Sequence, residues 1–291
     1  MTFNRYVPLR SRSIAISEFN DRQTEINEHY WSFVVMTENA RYLARQEKES
    51  NAEISTETIF QASGPDISRV PKTVGEWLTA NEALGNWLRL SALASAVTFH
   101  EAYMSRICRS ALMSDPLCRF GATGALDGTS LLKRGVEIDY EADQKLLTRD
   151  TWSKREANFR RLFSATDTSK MFPVSKLEKM RELRNQFAHG FGRSLDVPEP
   201  SNLQHRASGK ISHSKLLDYL GVLSVSASAI DRHLMPNFIG SFEILHMFHC
   251  WKATNASNHS AREFKKYLIA NGFPEANVPY CEELIAYYDN A

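Results

Sequence analysis

Apolar side chains recur at three- and four-residue steps along most of this 291-residue chain, while alternating strand patterns are scarce. That period is the mark of amphipathic helix, so an all-α fold is expected. The strongest run lies within residues 84–113, where Leu90, Leu93, Val97, Met104, Ile107 and Ala111 share a stripe. Asp115-Pro116 ends it, because a residue before proline avoids the helical region. An earlier run over 16–46 carries Phe19, Ile26, Tyr30, Phe33, Ala40 and Leu43 near one face. Shorter helices are predicted over 152–163, with Asp150 or Thr151 as N-cap, over 174–189, and over 214–234. Two or three more follow in the tail, split by TNASN and NGFPEANVP. RGVEIDY (134–140) is the best strand candidate and reads equally as loop. These elements group as an N-terminal helical extension and connector (1–81), a central bundle (82–236) and a C-terminal helical extension (237–291).

An apolar fraction of 43% is enough to build a core. Lys and Arg total 35 against 34 acidic residues, for a net charge of +1, so any nucleic-acid contact must use a local patch. Four cysteines are scattered without a C-x-x-C pair, as reduced thiols of a cytoplasmic protein would be. The N-terminus has no apolar signal core, and no stretch has the apolar length of a membrane span.

Residues 181–193 read RELRNQFAHGFGR. On a helix, Leu177, Met180, Leu183, Phe187 and Ala188 supply the apolar side. Arg184 and His189 lie about 140° apart around the axis and about 7.5 Å along it. Asn185 and His189, four apart, share a face. Arg184 is long enough to lean toward that face. Gly190 and Gly192 predict a stop just after His189. The negative helix end favours imidazolium there, and Arg184 opposes it by repulsion, which leaves His189 able to titrate near neutral pH. Residues 170–193 hold six cations, including Lys179, Arg181 and Arg193, against two anions. The preceding helix adds Lys154, Arg155, Arg160 and Arg161. Such a bias attracts phosphate, although Arg and Lys are also common on solvated helix faces.

LEKMRELRNQFAHG resembles the motif of HEPN domains, in which an Arg, often followed directly by Asn, Asp or His, is separated from a His by four to six intervening residues. Arg184, Asn185 and His189 match it. VTFHEAYMSRI (97–107) is similar to the early HEPN helix in which an acidic residue follows an aromatic-rich apolar run, with Glu101 in that place and His100 intruding. The resemblance covers roughly residues 82–236 and leaves both flanks unexplained. It implies a HEPN-like helical bundle with additional N- and C-terminal helices. It further implies a homodimer in which two motif helices form one cleft, and metal-independent cleavage of RNA with no cofactor. Arg184 would stabilise phosphoryl charge, His189 would move a proton or bind phosphate, and Asn185 would orient one of them. Lys179, Arg181, Arg193, Arg160 and Arg161 would contact RNA, and Glu101 would support the motif helix from behind. Many relatives act as toxins or phage-defence effectors, sometimes silenced by an antitoxin or regulatory partner. A HEPN-like dimerisation or RNA-binding module without catalysis is the alternative.

Other constellations are weaker. His246, His249 and Cys250 have helical metal-ligand spacing but sit in apolar FEILHMFHCW without an evident fourth ligand. His100 and Glu101 read as a buried polar pair. GATGALDG lacks the Gly-Lys-Ser/Thr of a phosphate loop and reads as a flexible loop.

Overall fold

The computed structural model describes residues 3–48, 54–190, 209–255 and 259–291, with backbone alone at 47–48 and 189–190. The chain is all-α. Its helices are α1 (Ile14–Lys48), α2 (Thr56–Phe60), α3 (Val74–Ser114), α4 (Gly128–Lys133), α5 (Glu141–Thr148), α6 (Trp152–Phe163), α7 (Val174–Gly190), α8 (His213–Leu234), α9 (Phe242–Thr254), α10 (Ala261–Ala270) and α11 (Val278–Asn290). Among the described residues the only β pairing is an isolated bridge between Ser55 and Thr73, and residues 136–140 are irregular. None of the helices is long and apolar enough to cross a membrane. All four cysteines are free thiols.

The chain divides into two compact units. The first comprises Met1–Asn20, Phe99–Glu178 and Val222–Ala291; the second comprises Asp21–Thr98 and Lys179–Gly221.

In the first unit, Met104, Ile107, Cys108, Ala111 and Leu112 of α3 are buried, as are Phe159, Leu162 and Phe163 of α6. Leu223, Ala227, Ile230 and Leu234 of α8 are buried as well. The tail helices form a cluster of their own around Phe248, Phe264, Leu268 and Leu284. A segment ahead of α1 is pinned by Arg5, whose residue is only 2% exposed. Its guanidinium donates to Ser114 O at 2.8 Å and to Phe238 O at 3.3 Å, and its Nε lies 3.0 Å from Asp127 Oδ1. Gly240 makes room for this segment: with φ at +54°, a Cβ there would stand 2.1 Å from Arg5 O. The glycine-rich 121–128 stretch is a built turn. Asp115 accepts from Gly124 N at 2.8 Å, and Asp127 caps α4 through Thr129 N at 2.9 Å.

Glu243 of α9 holds the start of α1, accepting from Ile14 N at 2.9 Å. Burial, ahead of every other influence, pushes its carboxyl up to about 7. A carboxyl whose folded pKa exceeds its unfolded value gives stability that is complete below about 4.5 and is lost as pH rises through about 7. In urea titrations, wild type should therefore lose stability relative to Glu243→Gln between those pH values. A pH-independent difference would contradict this burial cost.

In the second unit, Ile26 and Tyr30 of α1, Leu90, Leu93, Ala96 and Val97 of α3, Met180 of α7 and Leu216 and Tyr219 of α8 are buried. The Tyr30 hydroxyl meets His213 Nδ1 at 2.8 Å. Where the chain leads into α8, Asn86 Nδ2 donates to Gly209 O at 3.1 Å, Ile211 N donates back to Asn86 Oδ1 at 3.0 Å, and Arg89 Nε donates to Ile211 O at 2.7 Å.

Candidate functional site

Helix α7 runs unbroken through Arg184, Asn185 and His189 to Gly190. The terminal glycine falls inside the last helical turn, one residue beyond the expected stop. The start of α7 belongs to the first unit and caps α6: Trp152 N donates to Glu178 Oε2 at 3.1 Å. Thr151 occupies the N-cap position of α6 without a side-chain capping bond, so the cap comes from α7 rather than from a neighbour in sequence.

From Lys179 onward α7 belongs to the second unit. Leu177 and Met180 are each only 1% exposed, Leu183 and Phe187 are half-buried, and the Phe187 ring lies 6.3 Å from that of Trp87. Ala188, expected on the apolar side, is exposed. Arg184 follows Met180 by four residues and Leu177 by seven, so it lies within about 40° of both around the axis. It therefore sits on the inward stripe. It is half-buried, with Nε shielded from solvent. Asn185 is half-buried about 100° further round. Lys179 is exposed and Arg181 half-buried. The side chain of His189, and Arg193 altogether, lie outside the described residues.

Arg160, Arg161 and Glu101 belong to the first unit. Arg161 is exposed. Arg160 is exposed but engaged, donating to Thr168 Oγ1 at 3.0 Å and Thr166 O at 2.9 Å. Glu101 accepts from Arg155 Nη1 at 3.0 Å. Arg155 is 4% exposed and stacks its guanidinium on Trp152 at 4.3 Å. A buried guanidinium needs such a counterion. His100 is fully buried, with Nε2 at 3.1 Å from Ser226 Oγ; burial first, then the Arg155 charge, lowers its pKa to about 3, so it stays neutral.

His246, His249 and Cys250 face a cavity of about 440 Å³ in the first unit. Arg109, Met113, Phe242 and several residues between Gly128 and Tyr140 supply its other walls. The α9 spacing pointed to these three side chains, but the opposite walls come from distant sequence, so the cavity itself was not foreseeable. Among the described residues, no group of three or more His, Cys, Asp or Glu side chains is placed to hold a metal ion.

No protein-family profile, curated protein or solved structure matches the chain.

Proposed function

We propose that α7 carries the site of a metal-independent endoribonuclease of HEPN type, working as a homodimer. The observation that carries this reading is the single unbroken helix bearing Arg184, Asn185 and His189, with the His in its last turn. The Arg184 guanidinium is always charged and binds phosphate in bidentate fashion, which suits it to the charge that builds on the phosphoryl oxygens. His189 transfers protons near neutral pH, and Asn185 orients the imidazole or the phosphate.

In the reaction, a base takes the 2′-hydroxyl proton and O2′ bonds to the adjacent phosphorus. The bond from phosphorus to the 5′-oxygen breaks, and an acid protonates that oxygen. The products are a 2′,3′-cyclic phosphate and a free 5′-hydroxyl. Dependence on the 2′-hydroxyl confines the reaction to RNA. Lys179, Arg181 and Arg193, and Arg160 and Arg161 on α6, are assigned as local phosphate contacts. A toxin or phage-defence role, with an antitoxin or regulatory partner, belongs to the same reading.

The inward position of Arg184 supports a second reading, in which the guanidinium braces the bundle and the protein is a HEPN-like RNA-binding or dimerisation module. Incubation of the purified chain with total RNA in EDTA separates the two. Cleavage that survives EDTA supports the enzyme, whereas RNA retardation on gels without cleavage supports the module.

A further inference from the structure

We propose that the cavity between the end of α3, the α4 region and α9 binds a small organic anion with an apolar body, its charged group a carboxylate or a phosphate monoester. Its volume of about 440 Å³ suits such a ligand. Met113, Leu131, Leu132, Ile138 and Phe242 supply apolar wall, and Arg109, His246 and His249 supply polar groups.

Arg109 gives the site its charge. It is exposed and lines both this cavity and an adjoining one of about 220 Å³. Neighbouring arginines are spent: Arg106 pairs with Glu18, and Arg119 with Asp143 at 3.1 Å. Among the described residues, no carboxylate or carbonyl pairs with Arg109. The acid on α9, Glu243, is engaged by Ile14 N and by Ser110 Oγ at 3.4 Å. Glu137, the one carboxylate lining the larger cavity, is exposed and forms no ion pair with Arg109. An unpaired guanidinium beside apolar wall can take a carboxylate or phosphate through two parallel hydrogen bonds.

The imidazoles complete the polar set. Burial, then His249, then Arg109 depress the pKa of His246, so it offers a neutral donor and acceptor rather than a second cation. The ring of His249 is held by the Tyr288 hydroxyl, 2.6 Å from Nδ1. One fixed cation with two flanking ring nitrogens suits a single anionic head, carboxylate or phosphate, and Glu137 on the rim opposes either one by repulsion.

The test is calorimetric titration of the full chain with octanoate and with phenyl phosphate, using octanamide and inorganic phosphate as controls. Saturable binding of octanoate identifies a carboxylate ligand, and binding of phenyl phosphate a phosphate ester. Both controls should bind at least about tenfold more weakly, and Arg109→Gln should lose about tenfold or more, the scale of a charge-assisted hydrogen bond. Glu137→Gln should tighten binding. Arg109 is exposed, so its variant should keep the wild-type circular dichroism. Failure of both anions to bind, equal binding by octanamide, or undiminished binding by a folded Arg109→Gln would overturn the proposal. The readout is binding alone and does not depend on RNA cleavage.

Discussion

Replacing Arg184 or His189 by alanine is expected to cut RNA cleavage by about a thousandfold or more, while the folded helical content stays at the wild-type level. One fixed charge-stabilising donor contributes on the order of 10²–10³ in rate, and one positioned acid or base about 10²–10⁴. If both subunits lend their motif to one cleft, each substitution removes two groups, and the loss is greater than for one. Arg184→Lys is the sharper variant. It keeps the positive charge but not the planar fork, so it should remain folded and lose most of the activity. The half-buried, inward position of Arg184 makes this control necessary, since alanine there also removes packing. Cleavage at the wild-type rate by a folded Arg184→Lys and by His189→Ala would remove both residues from the chemistry.

Arg5→Ala is expected to destabilise the protein by about 3–5 kcal/mol, read as a lower urea midpoint. That is the scale for removing one partner of a buried ion pair. The loss strands Asp127, which also accepts from the Tyr287 hydroxyl, together with the carbonyls of Ser114 and Phe238. Arg5, Ser114 and Phe238 are buried, whereas the Asp127 side chain is 24% exposed, which places the loss toward the lower end of that range. Arg5→Met combined with Asp127→Asn should recover part of the deficit, because it removes both charges and keeps the packed volume. A midpoint unchanged in Arg5→Ala would show that this network carries no stability.

The helices whose stripe is long and regular were legible in the sequence. The runs expected at 152–163, 174–189 and 214–234 lie within one or two residues of α6, α7 and α8. The start of α3 was not read, since Val74 precedes the expected stripe by ten residues. A local signal was present. Thr73 and Glu76 form a capping box, with Glu76 N donating to Thr73 Oγ1 at 3.2 Å and Thr73 N donating to Glu76 Oε2 at 3.3 Å. Helices α4 and α5, of six and eight residues, are too short for a period to register. The role of Arg5 could not be read locally, because its partners lie 109 and 233 residues away.

At the candidate site, the sequence placed Arg184, Asn185 and His189 on one helix correctly. It also contained the seven-residue step from Leu177 to Arg184 that sets the guanidinium on the inward stripe. The tie between Glu101 and Arg155 joins residues 54 apart and needs the fold to be seen.

The most direct measurement uses a short oligoribonucleotide that the protein cuts at one position, and the same strand with a single 2′-deoxy nucleotide on the 5′ side of that bond. A 2′,3′-cyclic phosphate from the first strand and no cut at that bond in the second are the predicted results. Cutting of the deoxy strand at the same bond, or the absence of any RNA cleavage by the wild-type protein, would contradict catalysis by α7.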